Sequence, residues 1–289
     1  MTGNFSIAAA ALLLLIFSLP AASQTPECQT LPGAASETDS ESDASSRPQL
    51  RARALEILVG RRASAEFETT AKLFCNDAVH DYINRITQTV ARGSNVRVPV
   101  TVKVVDSPEA NALSFPGGFL YVNTGLILAV ESEAEIASVV AHEIAHVVAR
   151  DGMRGQAVTL DTESSTPVTP LPDGVNSVGQ IGGYLIPLNN VGARVETEAD
   201  FNGIRYLQKS GYSPRALITF LERMLAKEQT DPKSVLRMFQ THPPTRERIR
   251  RIAERIGSPT EKPPTDPEHQ KIKEIIGRSS PQQAPSTSH

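Results

Sequence analysis

The segment 132–150 reads SEAEIASVVAHEIAHVVAR, and it decides the class of the fold. Its apolar side chains recur every three or four residues, which is the spacing of one face of an α-helix. Ser132 is suited to cap the first turn, where Glu133 and Glu135 favour a helix start, and Gly152 is expected to close the helix. The apolar stripe consists of Ile136, Val139, Val140, Ile144, Val147 and Val148. We therefore predict an apolar helix over this segment.

Two histidines lie on one face of that helix. His142 and His146 are four residues apart, one helical turn, so a ring nitrogen from each can bind a single ion. Glu143 is turned by about 100° and cannot bind the same ion from this helix. It can instead act as a general base toward water that the ion activates. The alternative is a charged helix with incidental histidines, which would be costly to bury without a ligand.

A third ligand must come from another part of the chain, because a catalytic zinc normally has three protein ligands and one position for water. The segment 194–203 reads RVETEADFNG and has helical spacing. Its residues Glu196 and Asp200 share a face with Ala199 and Gly203, whose small size allows close approach to the histidine helix. Glu196 can therefore bind the metal, while Asp200 can hold a ligand histidine through its second nitrogen. Considered alone, this segment is more typical of a solvated acidic helix, but the histidine motif reverses that preference.

The surrounding sequence predicts helices with a few short strands. Helical spacing runs through 50–93, and alternating valines at 96–104 predict a strand that lies at an edge or starts after Pro99. Two more strands, 111–115 and 119–123, are predicted around Pro-Gly-Gly. Further helices are predicted over 194–210, 214–229, 233–239 and 245–256. The expected fold class is α+β, a mainly helical domain with one small β-sheet.

The two ends of the 289-residue chain differ from its middle in composition. Residues 1–23 carry no charge and contain an apolar run shorter than the about 20 residues that span a bilayer. They are predicted to be a signal peptide, with an uncleaved membrane anchor as the alternative. Residues 24–50 are predicted to be an acidic, Ser-rich disordered spacer. The folded domain is expected over 51–257, followed by a Pro/Ser-rich flexible tail at 258–289 that is broken only by a short helix candidate around Lys271–Ile276.

The charge balance excludes a strongly basic nucleic-acid-binding protein. The chain has 29 Lys plus Arg against 32 Asp plus Glu, and the expected folded part is close to neutral. No nucleic-acid partner is therefore expected, nor general electrostatic capture of anionic lipid. Cys28 and Cys75 can form one disulfide in an oxidising compartment, although the sequence alone does not establish that pair.

Four stretches together resemble one known family of zinc metallopeptidases, which contains the prenyl-protein protease, the HtpX-type heat-shock proteases and the BepA-type periplasmic proteases. These stretches are NALSFPGG at 111–118, HEIAH at 142–146, ETEAD at 196–200 and THPPT at 241–245. The resemblance implies a gluzincin fold and endopeptidase activity on misfolded or envelope proteins.

The resemblance also implies a set of site residues. One catalytic Zn²⁺ per chain would bind His142, His146 and Glu196, and Glu143 would be the catalytic acid and base. His242 looks like a late histidine of the family that stabilises the oxyanion or occupies the position of the water as a latency switch. Before two prolines, however, a histidine is also typical of a loop that caps a helix.

The strand Phe119–Val122 looks like the sheet edge to which an extended substrate is added. The alternative for this strand is an ordinary core position. The implied substrate-binding residues are Asn111, Gly117, Gly118, Phe119, Leu120 and Tyr121.

Together, these expectations predict that the protein is an exported zinc endopeptidase of the periplasm or cell envelope. Its expected partners are unfolded or envelope proteins, and no stable membrane span is expected after signal cleavage. The segment 155–192 is expected to form a lid over the cleft. The alternative function is a zinc-stabilised periplasmic chaperone or assembly factor with a latent, self-blocked site. An aminopeptidase is disfavoured because no acid lies on the expected substrate strand.

Overall fold

A computed structural model describes residues 47–153, 178–181, 184–187, 192–243, 245–256 and 266–279. Within these residues the chain is mainly helical, which confirms the α+β class. In chain order the elements are α1 Arg47–Thr70, α2 Asp77–Gly93, β1 Thr101–Val105, β2 Ala112–Phe115, β3 Phe119–Asn123, α3 Thr124–Ala129, α4 Glu133–Ala149, β4 Val178–Ile181, β5 Tyr184–Pro187, α5 Ala193–Lys209, α6 Ala216–Thr230, α7 Pro232–Thr241, α8 Arg246–Ile256 and α9 Pro267–Ser279.

Helix α4 lies at the centre of the molecule and is buried along most of its length. As predicted, Ser132 is its N-cap, and the hydroxyl of Ser132 accepts a hydrogen bond from the amide of Glu135. The prediction that Gly152 closes this helix is wrong. Arg150 already adopts the left-handed conformation, with φ 56°, and its N–H donates to the carbonyl of Val147.

Strands β1, β2 and β3 form one mixed sheet in the order β1-β3-β2. β1 runs parallel to β3 and β2 runs antiparallel to it, so β3 is the central strand. β1 starts after Pro99 and also lies at an edge, so both alternatives for this strand hold. Leu120 and Val122 of β3 face the main core, while Tyr121 faces the opposite side.

Helix α1 covers the Pro-Gly-Gly turn between β2 and β3. A Cβ atom on Gly60 would lie 1.6 Å from the carbonyl oxygen of Pro116, so only glycine allows this approach. Gly117 has φ 76°, and a Cβ there would lie 2.6 Å from the Cα of Ile57. The turn therefore needs its first glycine for backbone conformation and helix packing.

Helix α9 corrects the predicted tail. The tail at 258–289 is predicted to be flexible around a short helix candidate, but α9 is longer than that candidate and packs on the core through His269, Ile272 and Ile276, which are all buried. Asp266, just before α9, accepts a hydrogen bond from the amide of Glu133 at 3.0 Å. The apolar spacing of this segment thus determines its structure, although the sequence on either side of it is rich in Pro and Ser.

Several predictions fall wholly or mostly outside the described residues. These are the signal peptide at 1–23, most of the spacer at 24–50, the remainder of the tail and most of the lid at 155–192. Within the last segment, β4 and β5 pair as an antiparallel ribbon. Cys75 is disulfide-bonded, and Cys28 lies outside the described residues. Among the helices that the structure describes, none combines the length and the apolar character needed to cross a membrane.

Candidate metal centre

Three elements bring four candidate ligands together. Helix α4 supplies His142 and His146, α5 supplies Glu196, and the connection between α7 and α8 supplies His242. One nitrogen or oxygen atom from each lies within 4.8 Å of the others. The Nε2 atoms of the two α4 histidines are 3.0 Å apart, and each lies 3.4 Å from a carboxylate oxygen of Glu196. Close packing permits this, because a Cβ on Gly203 of α5 would lie 3.3 Å from the amide nitrogen of His142.

Two carboxylates orient the α4 histidines from behind. Asp200 Oδ1 lies 3.0 Å from Nδ1 of His142, and Asp151 Oδ2 lies 2.9 Å from Nδ1 of His146. Asp151 accepts a hydrogen bond from Nδ1 of His146, whereas Asp200 contacts Nδ1 of His142 as an ionic partner, and both Nε2 atoms face the centre. Asp200 lies where the sequence predicted it. The sequence analysis does not predict Asp151 as a partner of His146. The only local signal for that role is that an acidic residue lies in the turn directly after α4.

Arg248 of α8 joins the acidic groups of the site, and sequence reasoning missed it as well. Its guanidinium donates to both carboxylate oxygens of Asp200 at 2.9 and 2.7 Å and lies 3.0 Å from Oε2 of Glu196. It also donates to the backbone carbonyls of His242 and Pro243 at 3.2 and 3.1 Å. Burial alone would raise the pKa of Asp200, but Arg248 and His142 outweigh it and hold that pKa below its usual range.

The residues of this centre fit a zinc ion. Two imidazole Nε2 atoms and one carboxylate form a donor set typical of catalytic zinc. Oε2 of Glu196 is buried and accepts no hydrogen bond, although Arg248 lies beside it. Burial opposes a charged imidazole, yet Asp151 and Glu196 outweigh burial and raise the pKa of His146 to about 10. The pocket is thus strongly electronegative, which a divalent cation would balance.

His242 lies directly against the candidate ligands. Its Nδ1 is 3.0 Å from Oε1 of Glu196 and 3.3 Å from Nε2 of His142, and its Nε2 is 3.7 Å from Oε1 of Glu143. The first turn of α8 is capped by the hydroxyl of Thr245. Helix capping therefore does not explain the position of His242, which lies where a ligand or substrate group would be.

Glu143 is buried beside the metal centre with one hydroxyl partner. Its Oε2 accepts a hydrogen bond of 2.8 Å from the side chain of Ser114 on β2, which fixes the carboxylate. Sequence reasoning did not single out Ser114. Because β2 is the edge strand that reaches α4, the sheet edge nearest the site belongs to β2.

The prediction of β3 as the substrate edge is therefore wrong. Its backbone is paired on both sides, and Leu120 and Tyr121 are 2% and 1% exposed. Phe119 packs against a small second apolar cluster that includes Phe115 and Tyr121. Gly117 lies against α1, and Gly118 lies against the backbone of Pro99. Asn111, by contrast, lies just before β2 and lines the cleft beside the metal centre.

A small apolar cavity adjoins Glu143 and His142. Its volume is about 20 Å³, and its apolar wall includes Val139 of α4 and Leu217 and Phe220 of α6. These three side chains are at most 4% exposed. The cavity has room for about one water molecule or a small apolar group.

Comparison with known proteins places these features in one family. The family model described as peptidase family M48 matches residues 77–256. The beta-barrel assembly-enhancing protease of Escherichia coli K12 is 29% identical over 212 residues, which cover 65% of this chain and 41% of that protein. Metalloprotease LoiP of the same organism is 28% identical over 199 residues, covering 66% and 77%. The mitochondrial metalloendopeptidase OMA1 of Schizosaccharomyces pombe is 30% identical over 180 residues, covering 60% and 52%. The chain thus spans about two fifths of the first of these relatives, and α1 and α9 lie outside the family match.

Proposed function

Because the chain belongs to peptidase family M48, whose relatives named above are metalloproteases, we propose that it is an exported zinc-dependent endopeptidase of the cell envelope. The observation that carries the proposal is the convergence of His142, His146 and Glu196 beside a buried Glu143. One relative is named for enhancing β-barrel assembly, which supports misfolded or envelope proteins as the substrates.

The chemistry follows from what each side chain can hold or move. When bound, zinc supplies a Lewis acid that makes water more acidic and polarises the scissile carbonyl. Glu143 takes the proton of the attacking water and returns it to the leaving amine. The hydroxyl of Ser114 holds the Glu143 carboxylate in one orientation. Arg248 fixes Glu196 and Asp200, so the ligand set does not reorganise during the reaction.

In this proposal the substrate binds along β2. This strand pairs with β3 on one side, and within the described residues no strand pairs with its other side. An extended peptide can add there as a further strand, and its backbone then passes Glu143. Such binding requires an unfolded segment, which fits misfolded protein substrates. The cavity at Val139, Leu217 and Phe220 accepts a small apolar side chain next to the scissile bond.

Glu143→Gln tests the proposal. We expect cleavage of unfolded casein by the zinc-loaded protein to fall by about 10²- to 10⁴-fold, because the general base is lost. Zinc content should stay at one per chain, since the ligands are unchanged. Glu198→Gln, at an exposed position of α5 that pairs with Arg194, is the matched control and should cleave normally. Cleavage at the wild-type rate by Glu143→Gln would refute this mechanism.

A second candidate function is favoured by the position of His242. A histidine 3.0 Å from Glu196 and 3.3 Å from His142 occupies space that water or substrate needs. The chain would then be a zinc-stabilised chaperone or assembly factor with a self-blocked site. Zinc-loaded wild type and His242→Ala should be compared on casein. Cleavage by wild type supports the endopeptidase, whereas cleavage by His242→Ala alone supports the self-blocked form.

A further inference from the structure

A second, larger cavity lies away from the metal centre. The first turns of α1, the segment 95–98 and the end of α4 line an open surface cavity of about 560 Å³. This volume is within the range of roughly 300 to 1,000 Å³ that is typical of small-molecule sites. Its lining includes neither a candidate zinc ligand nor a residue of the substrate strand β2.

The charged groups of this cavity are mostly basic. Three arginines line it, Arg53, Arg97 and Arg150, together with one acid, Glu56. The carboxylate of Glu56 pairs with Nε of Arg150 at 2.9 Å and is thereby neutralised. Arg53 and Arg97 form no ion pair or hydrogen bond with a residue in the described part of the chain. The cavity therefore carries two uncompensated positive charges, although the chain as a whole is close to neutral.

Arg150 shows that this end of α4 is built in a specific conformation. It is the one non-glycine residue with positive φ among the described residues, at φ 56°. Its side chain also donates to the carbonyl of Ala52 on α1 at 3.4 Å, in addition to its ion pair with Glu56. This conformation is the left-handed cap that ends α4, and it carries the Arg150 side chain to Glu56 at the wall of the cavity.

Apart from the neutral polar residues Gln49 and Asn95, the rest of the lining is apolar. Val96 and Val98 on one side and Val147 and Val148 on the other form a surface between the arginines. Guanidinium groups bind carboxylate or phosphate oxygens with paired hydrogen bonds, and valine surfaces gain by covering a hydrocarbon chain. We propose that this cavity binds a small anionic amphiphile, a molecule with one acidic head group and a single alkyl chain such as a fatty acid.

Titration calorimetry with laurate, below its micelle concentration, tests this proposal on the purified full-length protein. We expect saturable binding at one site per chain. The double variant Arg53→Gln/Arg97→Gln should bind laurate at least about tenfold more weakly, because charge-assisted hydrogen bonds are lost. Arg61→Gln, an exposed arginine elsewhere on α1, is the matched control and should bind like the wild type.

Two further measurements separate this site from unspecific adsorption. Ala52→Phe fills the cavity from α1 and should abolish laurate binding, while the melting temperature confirms that the variant is folded. Dodecyltrimethylammonium, with the same chain length and a positive head group, should not bind. The proposal is overturned if wild type shows no saturable binding of laurate, if the cationic amphiphile binds equally well, or if both the arginine and the Ala52 variants retain wild-type affinity.

Discussion

Two clusters of paired charges hold helix α4, and they differ in their exposure to water. In the metal centre, Asp200 and Arg248 are 1% and 7% exposed. The second cluster lies at the amino-terminal end of α4 and comprises residues 130–135 and their partners; we call it the corner. There the side chain of Arg85 is 45% exposed where it pairs with Glu133. The comparison shows that similar ion pairs contribute differently to the free energy of unfolding. Water screens the exposed pair, whereas in the buried pair no water can replace a partner that is removed.

The two clusters also differ in their relation to the family. The partners of α4 in the metal centre come from α5 and α8, which lie within the match at 77–256. The corner is held in part by α9, which lies outside that match. Asp266 caps both α4 and α9, because its two oxygens accept hydrogen bonds from the amides of Glu133 and His269 at 3.0 Å each.

Removal of each arginine should give the largest contrast between the two clusters. Arg248→Ala should lower the free energy of unfolding by about 3–5 kcal/mol, because it leaves buried carboxylates unpaired. Arg85→Ala should cost about 0.2–1 kcal/mol, since its pairs are exposed. Urea denaturation of the metal-free proteins at neutral pH measures both values. Equal losses would show that burial does not separate the two clusters.

Local patterns in the sequence predicted much of the fold and part of the candidate site. The apolar spacing of α4 and the cap at Ser132 depend on residues close in sequence, and the structure has both. The motif at 142–146 and Glu196 came from helical geometry, and the structure brings these side chains together. These predictions rest on patterns within single helices, and Glu196 also needed the histidine motif, which requires a third ligand.

The missed features depend on contacts between distant parts of the chain. The order of the strands is not a local property of the sequence. The sequence therefore predicts β3 as an edge strand, whereas in the structure β1 pairs parallel to it on the side opposite β2. Arg248 meets Asp200 across 48 residues, and one of five arginines on an exposed-looking helix gives no signal of such a pair. The sequence predicts only a short helix within the tail, because flanking Pro and Ser determine its composition but do not prevent Ile272 and Ile276 from packing on the core.

Ser114→Ala sharpens the comparison by separating chemistry from stability within the metal centre. The hydroxyl of Ser114 contacts the carboxylate of Glu143, while the charges around Arg248 are untouched. We expect kcat on an unfolded substrate to fall about tenfold, in line with the loss of one hydrogen bond to a charged group. KM and the melting temperature should change little. Ser114→Thr keeps a hydroxyl and should recover most of kcat, whereas equal losses in both variants would point to a packing role.

The smallest expected effect concerns the corner and its response to pH. Nε2 of His269 lies 3.1 Å from the carbonyl of Val130, and Nδ1 lies 3.0 Å from the hydroxyl of Tyr82. Nε2 therefore donates and Nδ1 accepts, so the buried ring is neutral. Burial lowers the pKa of His269 below its usual value, so the unfolded chain takes up a proton at a higher pH than the folded protein does. The free energy of unfolding should consequently fall as the pH drops through about 6.5, by at most about 1.4 kcal/mol per pH unit for this group.

His269→Gln isolates that contribution. Glutamine does not titrate but offers an amide N–H to the carbonyl of Val130, so the variant should lose less stability than the wild type between about pH 7.5 and about pH 5.5. Urea denaturation at both pH values provides the comparison, with His80→Gln, a partly exposed histidine of α2, as the matched control. Because the histidines of the metal centre are present in all three proteins, their titration cancels from the difference. A pH dependence that His269→Gln leaves unchanged would mean that folding does not shift the pKa of this ring, which would contradict its burial as a neutral group.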